Sequence, residues 1–213
     1  MTNTVISMCD LTGNMVRPWA DAGCTCICVD IQHSIRNDTI VEYGKGKIIY
    51  TWGDARSWSP LKWDIGFHSK HNLIFISAFP VCTHMAVSGA RDFKKKGIPM
   101  MYDGLMLFNS CVQIAEWSGV PFCVENPVGI IPSHYRKPDY YFHPWYYGDL
   151  YTKYTCLWTG GGFVMPEKKY LTKPEETSEK IWKMPSSDDR ADKRSETPKG
   201  FAMAVFKENF KTK

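Results

Sequence analysis

The chain has 213 residues, 44% of them hydrophobic and 14% aromatic, which is enough to bury one good core and short for two full domains. Its 26 Lys and Arg against 22 Asp and Glu leave a net charge of +4, which permits a polyanionic partner without demanding one. No apolar run approaches the roughly 20 residues of a membrane span and no secretory leader is evident, so a soluble cytoplasmic protein with no membrane partner is expected.

In chain order, Val5 to Cys9 reads as a buried strand. Met15, Trp19 and Ala22 then fall at helical spacing before Gly23, a helix stop. Cys24 to Val29 is a second strand, in which Cys24, Cys26 and Cys28 alternate and share one face. That pattern reads as packed, reduced thiols. With no Cys-x-x-Cys pair among the eight cysteines, no metal is predicted. Lys47 to Thr51, Leu73 to Ala78 and Phe122 to Glu125 are further strands, with a helical pattern from about Tyr102 to Trp117 between the last two. Strands alternating with helices predict an α/β fold, a mostly parallel sheet with helices on both faces.

Tyr135 to Tyr154 interleaves aromatic and basic residues, a combination that suits splayed bases and phosphates, or equally the core of the late sheet. Thr155 to Trp158 is a late strand running into Gly160, Gly161 and Gly162. Pro166 to Lys199 is polar and poor in apolar anchors, and is expected to be a surface excursion. A helical pattern resumes after it, so the whole chain reads as a single domain with a 166–199 insert.

In an open parallel sheet, ligands bind beyond the carboxyl ends of the strands. Asp10, Leu11, Thr12, Gly13 and Asn14 occupy the first such turn. One glycine counts against a dinucleotide, which needs three for its pyrophosphate. A cofactor without phosphate suits the turn better: S-adenosylmethionine, with Asp30 at the second strand's end accepting ribose hydroxyls. Asp54, after the third apolar run, is placed either to accept an adenine amine or simply to form a turn. Cys82 stands beyond the Leu73 to Ala78 strand, as a nucleophile or a half-buried structural thiol. Glu125 is held extended by Asn126-Pro127, as an acid-base group or a turn carboxylate.

The order of these pieces, with the phrases "CTHMAVSGAR", "ENPVGII", "YRKPD", "TCLW" and "RSETPKGFAMA", resembles the cytosine-5 DNA methyltransferases, and in particular their short, phage-type members. The resemblance runs from Asp10 to about Phe206. It implies a Rossmann-like, S-adenosylmethionine-dependent methyltransferase fold, and an enzyme in which Cys82 adds to C6 of cytosine while Glu125 engages N3. The methyl group then passes to C5. It further implies that Asp10 to Asn14, Asp30, Ile31, Asp54, Pro80, Thr197 and Gly200 line the cofactor site. Ser88, Arg91, Asn126, Arg136 and Lys153 would contact the substrate. The partner expected is DNA, duplex or single-stranded, or a cytosine nucleotide, in a bacterial host cell if the chain is phage-encoded.

Two departures stand out. Val81 takes the place of the family's proline just before the nucleophile, and the 166–199 insert is small beside a full target-recognition domain. A partner protein supplying recognition is one consequence. A catalytically silent S-adenosylmethionine- or DNA-binding viral accessory protein is the competing expectation.

Overall fold

The structure, a computed structural model, describes residues 2–59, 71–87, 93–178 and 196–210. Its centre is an eight-stranded mixed sheet in the order β3-β4-β2-β1-β5-β6-β8-β7. The strands are β1 (Thr2–Met8), β2 (Thr25–Asp30), β3 (Thr39–Tyr43), β4 (Gly46–Trp52), β5 (His71–Ala78), β6 (Phe122–Pro127), β7 (Tyr140–Phe142) and β8 (Thr155–Gly160). From β4 to β6 all neighbours are parallel, whereas β8 runs antiparallel between β6 and β7. Leaving aside the β3 hairpin strand, the parallel strands follow the doubly wound succession, in which the first strand lies at the switch point.

Both faces are covered, as the sequence predicts. The α-helices among the described residues are α1 (Arg17–Asp21), α2 (Phe93–Ser118), α3 (Ile131–His134) and α4 (Lys199–Asn209). Phe108, Cys111, Val112 and Ala115 of α2 pack with Ile6, Met8, Ile27, Ile76 and Val124 on one face. Trp19 of α1 and Phe201, Ala202 and Val205 of α4 pack with Val5, Phe75 and all three alternating cysteines on the other. Period two along β1 and β2 sends neighbouring side chains to opposite cores. Trp19 stacks on Phe75 at 4.9 Å and meets Phe206 and Phe210 edge-on at 5.2 and 5.6 Å, so one indole joins α1, the sheet and the end of the chain.

Local chemistry sets the element ends. Gly23, at φ +102, closes α1 by donating to the Ala20 carbonyl at 2.9 Å. The helical stretch Phe93–Ser118 is broken at Gly97, φ +71, and its longer part starts around Pro99, where a missing N–H costs nothing. β3 and β7 have no counterpart in the sequence reading. Every residue of β3 is exposed, so no apolar alternation marks it, and β7 is only three residues long. Among the described residues no helix is long and apolar enough to cross a membrane, and no cluster of His, Cys, Asp or Glu has metal-ligand geometry.

Candidate active site

Parallel strands deliver their carboxyl ends to one rim: the first turn, Asp54 and the Cys82 loop follow such ends, Asp30 is the last residue of β2, and Glu125 lies two residues before the end of β6. The first turn is organised from inside. The buried Asp10 carboxylate accepts from Ser7 Oγ at 2.7 Å, Gly13 N at 2.7 Å and Thr12 N at 3.2 Å. Burial raises its pKa, opposed by those bonds. Gly13 sits at φ +68, and a Cβ there would come 2.7 Å from the Tyr50 hydroxyl, so both backbone and space require glycine. Tyr50 in turn donates to the Thr12 carbonyl at 3.3 Å. Just before the turn, Cys9 holds φ +54, a costly conformation for a residue with a Cβ. Leu11 is half-buried and Asn14 buried in the same loop.

Asp30 is buried at the end of β2 and accepts from Gln32 N at 2.8 Å, while the next side chain, Ile31, is 56% exposed. His33 stitches the neighbouring loops together. Its Nδ1 lies 3.0 Å from the Thr51 carbonyl and its Nε2 lies 3.3 Å from that of Leu11. Asp54 is engaged with Arg56 through Nη2 at 2.6 Å and Nε at 2.9 Å, which holds its carboxyl below the ordinary value. Arg56 also reaches Asp103 on α2.

The Cys82 loop and the end of β6 are joined by three bonds. Asn126 Nδ2 donates to the Pro80 carbonyl at 2.7 Å, Val87 N to Val128 O at 2.9 Å and Ile130 N to Met85 O at 3.0 Å. Within the loop, Met85 N closes a turn on the Cys82 carbonyl at 2.9 Å. A Cβ on Gly129 would fall 2.1 Å from Met85 O, so only glycine allows the two backbones to meet. Val81 is half exposed and Cys82 partly so.

Glu125 is 8% exposed and Asn126 fully buried. Lys153 Nζ stands 3.4 Å from Glu125 Oε1, a charge contact without hydrogen-bond alignment. Glu125 Oε1 and Asn126 Oδ1 therefore make no hydrogen bond among the described residues. Buried acceptors left open in this way mark a place where a ligand donor would be favoured.

The other cysteines are poorly suited to attack. Cys24, Cys26, Cys28, Cys111, Cys123 and Cys156 are buried. Burial and the Glu125 charge raise Cys123 and push Cys156 up to about 11. The Cys9 thiol lies 4.0 Å from that of Cys111 and is raised by that contact and by burial.

The remaining expected residues are dispersed. Arg136 pairs with Asp139 at 2.8 Å and donates to the Thr159 carbonyl at 3.2 Å. Thr159 lies opposite Cys123, toward the far end of β6 from Pro127, so Arg136 sits away from the rim that holds Lys153. Thr197 is buried. Gly200 N donates to Asp149 Oδ2 at 2.8 Å, and a Cβ at Gly200 would meet the Tyr147 carbonyl at 2.3 Å. Ser88 and Arg91 lie outside the described residues, as does 179–195 of the insert. Residues 166–178 are mostly exposed and are tied to the body by backbone bonds: Ser178 N donates to Leu150 O at 2.8 Å and Lys169 N to Tyr146 O at 2.8 Å. Sequence reasoning missed His33 and Asp149, because a bond from a lone polar residue to a distant backbone leaves no local pattern.

No family model matches the chain, and no curated protein matches it. Among solved structures it is similar to a prophage-encoded E. coli protein provisionally assigned as a DNA modification methyltransferase. The identity is 16% and the TM-score 0.48, over 79% of this chain and 47% of that one. The chain thus spans less than half the length of that protein.

Proposed function

We propose that the protein transfers a methyl group from S-adenosylmethionine to C5 of cytosine in DNA, with Cys82 as nucleophile and Glu125 as the group that engages N3. The observation that carries this reading is the bonded union of the Cys82 loop with the Glu125-Asn126-Pro127 strand end, beside two open buried acceptors.

The first turn fits an adenosyl ligand. Gly13 gives the turn its positive φ, Asp30 offers a buried carboxylate at the end of β2 to accept from hydroxyl groups, and Ile31 offers an exposed apolar side chain next to it. Bound there, S-adenosylmethionine supplies an electrophilic methyl group. The chain's own residues do the rest. The Cys82 thiolate bonds to C6, and the electron pair of the 5,6 double bond moves toward N3, where Glu125 holds the proton that stabilises the addition. Once C5 carries the methyl group, loss of the C5 proton restores the double bond and expels the thiolate. Lys153 keeps a cation beside Glu125, and Asn126 fixes the height of the nucleophile loop through Pro80. A duplex cytosine must first leave the stack, at a cost of a few kcal/mol.

The chain is read as one catalytic domain, and the 166–199 insert as too small to read a groove by itself, so sequence selection would fall to a partner protein. The test uses DNA carrying 5-fluorocytosine, which cannot lose a proton from C5, with tritiated S-adenosylmethionine. A labelled adduct that maps to Cys82 is expected. Absence of label, or label on Cys111 or Cys123, would overturn the assignment.

A further inference from the structure

The sheet edge beyond Glu125 carries a stack of aromatic rings that the proposed chemistry does not use. Tyr141 and Tyr154 lie with ring centroids 5.3 Å apart and planes 18° from parallel. Tyr154 and His143 follow at 5.0 Å and 25°, then His143 and Trp145 at 6.1 Å and 20°. Strand register builds this ladder. Tyr141 pairs with Cys156 across β7 and β8, and His143 and Tyr154 each stand two residues from that pair, so alternation places the three rings on one face. Phe142, between them, turns to the opposite core and stacks on Phe201 at 4.1 Å.

The ladder runs from protein to solvent. Trp145 is 8% exposed, while Tyr141 and Tyr154 are 43% and 50% exposed. Cations border it: Lys168 Nζ stands 4.0 Å above the ring of Tyr146, which meets Trp145 edge-on at 4.4 Å and His143 at 5.7 Å. Burial and the charges of Lys173 and Lys168 lower the His143 pKa. His143 Nδ1 is buried with no hydrogen-bond partner among the described residues.

Tyr154 is sandwiched between Tyr141 and His143, while Tyr141, 43% exposed, ends the ladder with Tyr154 as its one stacking partner among the described residues. An aromatic stack that ends in an exposed ring, with ammonium groups nearby, matches one partner chemistry well. Every unpaired base has a face that stacks on a ring whatever its identity, and its phosphate meets the cations. A duplex keeps those faces hidden. The geometry points to the Tyr141–Tyr154–His143 ladder as a binding site for the unpaired bases of single-stranded DNA. Lys153, which contacts Glu125, adjoins Tyr154 in the chain, so the ladder begins one residue from the proposed catalytic pocket and would hold the strand flanking the reacting base. The choice of DNA over RNA rests on the methyl-transfer reading; the stacking site itself does not.

Fluorescence anisotropy with a labelled oligothymidylate and no cofactor tests the site. The probe has no cytosine, so failure of methyl transfer leaves this test intact. The wild-type chain should bind the oligothymidylate more tightly than a duplex of equal length. A Tyr141→Ala/Tyr154→Ala protein with wild-type melting temperature should bind about tenfold or more weakly, and Tyr154→Phe, which keeps the ring, should bind as wild type. If the double variant does not fold, Tyr154→Leu keeps apolar cover without a π-face and should lose about fivefold. Unchanged binding by the folded double variant or by Tyr154→Leu, tighter binding to the duplex, or tighter binding to an oligouridylate of equal length would overturn the proposal.

Discussion

The side-chain amide of Asn126 donates at 2.7 Å to the carbonyl of Pro80, 46 residues earlier in the chain, and Asn126 is fully buried. This side-chain bond, beside two backbone bonds, ties the loop that holds Cys82 to the strand end that holds Glu125. Asn126→Asp presents an acceptor to that carbonyl, and should cost about 1–3 kcal/mol of stability with a loss of single-turnover rate. Urea unfolding alongside methyl transfer checks this; wild-type values for both would leave the bond without consequence. Gly129→Ala, which drives a Cβ into the Met85 carbonyl, should be at least as damaging.

Glu125 and Lys153 form a mostly buried pair at 3.4 Å. Glu125→Gln should preserve the fold and cofactor affinity while slowing chemistry by about 10²–10⁴-fold. Lys153→Met strands a buried carboxylate, and should cost about 1–3 kcal/mol in unfolding experiments. An equal fall in cofactor affinity and rate for Glu125→Gln would mark the carboxylate as structural.

Asp30 should carry ribose recognition. Calorimetry is expected to detect binding of S-adenosylmethionine or its demethylated product and none of NAD. Asp30→Ala should weaken the adenosyl ligand by about 1.5–3 kcal/mol, the worth of a charge-assisted bond. Unchanged affinity would reduce Asp30 to the anchor of Gln32 N.

The Asp10 carboxyl is raised from its ordinary value of 3.8 by burial, against the bonds from Ser7, Gly13 and Thr12. A group whose folded pKa lies above its unfolded one gives its full stabilisation below the unfolded value, and loses it as pH rises through the folded value. The stability of wild type minus that of Asp10→Asn should therefore fall as pH rises from 3.8 through the raised value. Parallel urea titrations across that range check the sign.

Asp149 caps α4 from outside the helix, accepting from Gly200 N at 2.8 Å. Asp149→Ala should cost about 1–2 kcal/mol, as the loss of other helix caps does. Hydrogen exchange should then quicken at Gly200, Phe201 and Ala202 before the rest of the helix.

The sequence by itself determined the parallel core: β1, β2, β4, β5 and β6 coincide with apolar runs, and Cys24, Cys26 and Cys28 fall on one buried face because alternation is a local property of a strand. It also put the first turn, Asp30, Asp54, Cys82 and Glu125 at strand ends, since chain order and strand direction imply that. What only the tertiary structure decided was which of those groups meet. Arg136 and Lys153 look alike in sequence, but the antiparallel course of β8 sends Lys153 to Glu125 and leaves Arg136 with Asp139. β3 and β7 were illegible because an exposed hairpin strand and a three-residue edge strand bury too little to leave a pattern. The His33 bridge, the Asn126–Pro80 bond and the Asp149 cap all join a side chain to backbone far away in sequence. Such bonds depend on where the fold brings a carbonyl or an amide, and the residues between the partners do not encode it.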